Sequence, residues 1–132
     1  LSMLTLSVVT PEGQVVAQSV DEVTVPGLLG EFGVLPGHIA LLAATRAGVL
    51  SYRSGSERGR IALGPGFAEV DGKGAVVALV QKAVRGDKVD RAAAERLLSD
   101  ADARLKGDGK GERAQAEADQ VWAQAQLDAA KS

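Results

Sequence analysis

Val49-Leu50-Ser51-Tyr52-Arg53, Ile61-Ala62-Leu63, Phe67-Ala68-Glu69-Val70 and Ala75-Val76-Val77-Ala78-Leu79-Val80 are four short runs rich in aliphatic, β-branched and aromatic residues. Ser54-Gly55-Ser56-Glu57-Arg58-Gly59, Gly64-Pro65-Gly66 and Asp71-Gly72-Lys73-Gly74 separate them. Such runs suit a pleated, half-buried surface, and the polar, glycine-rich breaks between them suit hairpin turns. No stretch between the runs repeats its apolar residues with a helical period. The last run is apolar throughout, which predicts a strand covered on both faces.

Upstream the same pattern continues. Leu4, Leu6 and Val8 alternate with Thr5 and Ser7, which gives one apolar face. Pro11-Glu12-Gly13-Gln14 reads as a turn, and Val15-Val16-Ala17 and Val23-Thr24-Val25 as strands, the latter stopped by Pro26-Gly27. Glycines at 30, 33 and 37, with Pro36, predict tightly turned backbone over residues 30–38. Phe32, Val34 and Leu35 stand ready there to plug a core or meet a partner. From chemistry alone this segment reads as a corner of a β-sandwich with His38 bonded to backbone.

Downstream of Gly86 the composition changes. Residues 1–86 hold all four prolines, 13 of the 16 glycines and 14 charged residues; residues 87–132 hold 18 charged residues and 12 alanines. Alanine and charge favour exposed helix. Val89, Ala93, Leu97, Ala101 and Leu105, with Ala94 and Leu98, form one stripe; Asp87 or Asp90 can cap its start, and residues 107–111 must break it. Ala114, Ala118, Val121, Trp122, Ala125 and Ala129 form a second stripe. The expected fold class is therefore α+β: an N-terminal β-sandwich of short, mostly antiparallel strands over residues 1–86, then an antiparallel two-helix hairpin over residues 87–132. A seam made mostly of alanine buries little, so the hairpin is expected to be weakly held and able to open.

Composition excludes much chemistry. There is no cysteine and one histidine, so thiol nucleophiles, disulfides and multi-histidine metal centres are out, and no metal site is expected. No Gly-x-Ser-x-Gly elbow or phosphate-binding glycine loop is present, and no catalytic residues are expected. A net charge of −2 and four aromatics argue against a nucleic-acid partner. Residues 1–9 show neither a basic leader nor a signal-like apolar run.

Gly30-Glu31-Phe32-Gly33-Val34, then Pro36-Gly37-His38, Leu41-Leu42 and Gly48-Val49, resembles the signature of the epsilon subunit of F-type ATP synthases, the counterpart of mitochondrial delta. Leu6-Ser7-Val8-Val9-Thr10-Pro11-Glu12 resembles that family's first strand and turn, and Gly66-Phe67-Ala68-Glu69-Val70 its hairpin strand. The resemblance implies a non-catalytic rotor subunit in the central stalk. Its sandwich would dock on the gamma subunit and the c-ring, with Glu31, Phe32, Val34 and His38 as the interface and Glu31 meeting a c-ring loop. Its helices would be regulatory, reaching the alpha and beta subunits when extended. It also implies a peripheral place on the cytoplasmic side of the bacterial inner membrane or, alternatively, the matrix side of the mitochondrial inner membrane.

Two departures modify these expectations. Family members that bind ATP carry Ile/Leu-Asp-x-x-Arg-Ala at the first helix. Here Val89 and Asp90 match, but Ala93 stands at the arginine position and Arg91 lies two residues earlier. No cofactor is therefore expected, and ATP binding at Val89 and Asp90 should be weak or absent. From Glu112 to Lys131 there are two basic and four acidic residues, so electrostatic attachment to an acidic beta-subunit segment should be slight. The competing readings are an ATP-sensing regulatory module and a free-standing ligand-binding sandwich.

Overall fold

The computed structural model describes residues 3–107 and 112–131. Among the described residues, ten strands precede two helices. They are β1 (Leu4–Thr10), β2 (Gly13–Val20), β3 (Glu22–Gly27), β4 (Gly30–Val34), β5 (Leu41–Thr45), β6 (Gly48–Ser54), β7 (Glu57–Leu63), β8 (Gly66–Val70), β9 (Ala75–Val80) and β10 (Ala83–Arg85). A 3-10 turn, Gly86–Lys88, leads to α1 (Arg91–Lys106), and α2 is Arg113–Ala129.

The strands form two layers. One runs β4-β3-β6-β7-β10 and the other β5-β8-β9-β1-β2; they meet where Gly27 of β3 pairs with Thr45 of β5. Pairing is antiparallel except between β1 and β9. Alternation places Leu4, Leu6 and Val8 of β1, Leu50 of β6, Ile61 and Leu63 of β7, and Val76 and Ala78 of β9 in one core between the layers. The α+β class and the sandwich-then-hairpin order are as the sequence predicts.

Two local readings need correction, and one strand went unread. Residues 30–34 are a strand, β4, hairpinned to β3 through Leu28 and Leu29. The glycines there serve the hairpin: Gly30 takes φ +138°, and a Cβ on Gly27 would press on the Gly30 carbonyl oxygen and the Phe32 ring. Residues 41–45 are also a strand, which the glycine-rich context hides. β9 is covered on one face only, because Leu79 is 55% exposed.

The hairpin lies on the outer face of β6 and β7. Ala62 points away from the sandwich core and meets Trp122, Ala125 and Ala129 of α2, with Val49, Val84 and Leu97 around them. The buried face of α2 is Ala116, Trp122, Ala123, Ala125 and Ala129; Ala114 and Ala118 are exposed, and so is Val121. The predicted stripe is thus rotated, because α2 must satisfy α1 and the sheet together. Nor is the helix–helix seam alanine alone. Arg104 of α1 bonds Asp119 of α2 at 2.6 Å and Asp100 at 3.0 Å, and Gln120 donates to Asp102 at 2.8 Å. Asp90 caps α1 by accepting the Ala93 N–H at 3.0 Å. Of the expected helix break, residues 108–111 lie outside the described residues.

Candidate interaction site

β4 and the loop that follows it place the predicted interface residues in three different settings. Glu31 is exposed on the outer face of its layer, beside the cleft shared with Arg46, Leu98 and Val121. Phe32 turns inward and is half-buried against the core. Val34 is fully buried among the core residues and cannot touch a partner. Period-two alternation explains the correction: Phe32 and Val34 share the inward face, whereas Glu31 shares the outward face with Gly33.

His38 sits in the loop beyond β4 and is half-buried. Its backbone N–H donates to the Leu35 carbonyl at 3.0 Å, and its Nδ1 lies 2.6 Å from the Ile39 carbonyl oxygen, a contact that needs the proton on Nδ1. Gly37 takes φ +90° to make this turn. Glu31 follows the Leu28–Leu29 turn at one end of the sandwich, and His38 lies beyond the opposite end of β4. At roughly 3.3 Å per residue, β4 holds them apart, so no single contact spans both.

Register brings together residues that sequence reasoning missed. Ala44 of β5 pairs with Phe67 of β8, which pairs with Leu79 of β9; Leu42 pairs with Glu69, which pairs with Val77. All of these face outward on the layer opposite the helices. Leu42, Phe67 and Leu79 are each more than half exposed. Glu69 is the charged member of these rows, and the rest of the face is apolar and exposed to a degree that single scattered surface hydrophobics do not reach. The signal was in the sequence: the continuous apolar run of β9 puts Leu79 on the outward face as well as Val76 and Ala78 on the inward one. Leu28, Leu29, Leu35 and Ile39 extend exposed apolar surface to the two ends.

At the second predicted site, the Asp90 carboxylate is engaged as the cap of α1, and Val89 is half-buried beside it. Arg91 reaches away to the C-terminal end of α2, where it donates to the Ala130 carbonyl. Among the described residues no cluster of His, Asp or Glu is arranged to hold a metal ion, and no helix is long and apolar enough to cross a membrane.

The described residues form a β-sandwich with a helical hairpin docked on one layer and exposed apolar side chains on the other. The beta-sandwich domain family of ATP synthase delta and epsilon chains matches residues 3–86. Over 129 residues the chain is 43% identical to the ATP synthase epsilon chain of Synechococcus sp. (strain WH7803), spanning 98% of this chain and 92% of that one. It is 45% identical over 103 residues to ATP synthase epsilon chain 2 of Syntrophotalea carbinolica, covering 78% of this chain and 74% of that one. The fold is also that of a chain in the Euglena gracilis mitochondrial ATP synthase, with a TM-score of 0.84 at 23% identity, covering 98% of this chain and 82% of that one. A chain in the central stalk and c-ring structure of the Tetrahymena thermophila enzyme matches at 0.63 and 13% identity, covering 97% and 96%. The chain belongs to the ATP synthase epsilon-chain family.

Proposed function

We propose that this chain is a non-catalytic rotor subunit in the central stalk of an F-type ATP synthase, passing c-ring rotation to the gamma shaft. The observation that carries the reading is the outward apolar face of Leu42, Phe67 and Leu79 in a family of ATP synthase epsilon chains. Apolar area of that kind is what a permanent partner covers. Gamma is assigned to this face and to the adjoining His38 loop. The Leu28–Leu29 turn and Glu31, at the other end, are assigned to a c-ring loop. The subunit is held peripherally at the membrane through these partners, on the cytoplasmic side in a bacterium or the matrix side in a mitochondrion. Alpha and beta are met only if the hairpin leaves the sandwich.

Phe67→Glu puts a charge at the centre of the gamma face. It should abolish copurification with gamma while the isolated chain keeps its fold by circular dichroism. Retained copurification would overturn the assignment of this face. Cysteine at position 31 should crosslink under oxidation to a cysteine in a c-ring loop, and absence of the product in an intact complex would sink that contact.

ATP is not assigned as a ligand. Ala93 offers no cation, Arg91 is engaged with α2, and the Asp90 carboxylate is engaged with a backbone N–H. A missing charge-assisted bond is worth about 1.5–3 kcal/mol, or one to two decades of affinity. Calorimetry on the isolated chain should find no submicromolar ATP binding.

A further inference from the structure

Thr45 closes β5 at the seam of the two layers, paired with Gly27 of β3 on one side and Gly66 of β8 on the other. It is 4% exposed, and its Oγ1 has no hydrogen-bond partner among the described residues. A hydroxyl taken out of water without a bond disfavours the folded chain, and valine has the same shape without that cost. The backbone groups beside it are already paired. The Leu28 N–H donates to the Ala44 carbonyl at 2.9 Å, the Arg46 N–H to the Pro26 carbonyl at 3.0 Å and the Gln81 N–H to the Pro65 carbonyl at 3.2 Å. Thr45 lines a groove of about 640 Å³ with Pro11, Pro65, Phe67, Leu79 and Val80, and no charged residue is among its walls. The two prolines carry no N–H that could answer the hydroxyl.

We propose that Thr45 is a specificity-determining residue for gamma: the groove takes an aliphatic side chain of a gamma segment, and a backbone amide of that segment hydrogen-bonds the Thr45 hydroxyl. The inference rests on the assignment of gamma to the outward face of Leu42, Phe67 and Leu79. Phe67 and Leu79 belong both to that face and to the groove, so a chain lying on the face runs into it. Apolar walls without charge favour an aliphatic side chain and reject an ionised one. The hydroxyl adds discrimination that the walls lack, because a segment with no polar backbone group at that point leaves it unpaired. Thr45 thus lowers the stability of the free chain and raises the affinity of the bound one.

The test is a pair of measurements on the full chain that should move in opposite directions. Thr45→Val should raise the Tm of the free chain by about 3–6 °C and weaken its binding to an alpha–beta–gamma complex about tenfold. Thr45→Ser keeps the hydroxyl and should bind within about threefold of wild type. Unchanged binding of Thr45→Val would overturn the proposal, and so would a lowered Tm, which would mean that the hydroxyl is already satisfied in the free chain. Phe67→Glu, measured in parallel, separates the two levels. Retained binding there overturns the gamma assignment and this proposal with it, whereas lost binding beside an unaffected Thr45→Val overturns this proposal alone.

Discussion

Single residues in β4 separate fold from function by direction alone. Val34 is buried, so Val34→Ala removes two methyl groups from the core and should cost about 2 kcal/mol in chemical denaturation. Glu31, three positions earlier and exposed, should change stability by less than about 0.5 kcal/mol when replaced by alanine, with its effect confined to assembly. Asp90 lies between these cases. Its carboxylate holds the first turn of α1, and Asp90→Ala should lower hairpin stability by about 1 kcal/mol whether or not a nucleotide is present. A carboxylate that matches a nucleotide motif in sequence is here a helix cap.

At the scale of elements, the hairpin is joined to itself by charge and packs on the sandwich through Trp122, Ala125 and Ala129. The Arg104 guanidinium, and then the Gln115 amide, hold the Asp119 carboxyl below the usual carboxylate range. Backbone N–H groups of Ala75 and Lys73 do the same for Asp71 in the β8–β9 turn. As pH falls, the unfolded chain therefore takes up protons on these groups before the folded chain does. Their contribution is complete above the unfolded value of about 3.9 and is lost as pH drops through the lower folded values. Asp119→Asn should flatten the acid limb of α2 helicity, followed by circular dichroism below pH 4. Trp122 is nearly buried against Ala62, so Trp122→Ala should weaken docking by about 3 kcal/mol and expose α2 to protease first.

For the whole molecule, the question is whether the sandwich stands without its helices. Its core is drawn entirely from residues before Gly86, whereas the patch of Val49, Ala62 and Val84 is covered by α2 and α1. A chain ended after Lys88 should therefore fold and still copurify with gamma, while melting lower than the full chain because that patch is bared. The outward face of Leu42, Phe67 and Leu79 lies on the opposite layer and keeps its shape. Loss of gamma binding on truncation would show that the hairpin shapes the interface from across the core.

Alternation in β1 and the turn-separated runs of β6 to β9 made the β-sandwich legible, because a period of two and a glycine turn are properties of consecutive residues. The shift to alanine and charge after Gly86 made the two helices legible for the same reason. The signature from Gly30 to His38 pointed to the family. The sequence could not say that β4 carries Glu31 outward and Val34 inward, since glycine at 30 and 33 masks the alternation that decides it. Nor could it say which face of α2 is buried, because an alanine-rich helix has several near-equivalent faces and the choice falls to Ala62 and α1. Register alone aligned Phe67 with Leu79 and Ala44, and only chain reversal brought Pro11, Thr45 and Pro65 to one groove. Local order follows from neighbours in the chain, whereas surfaces are built from residues that only the packed layers bring together.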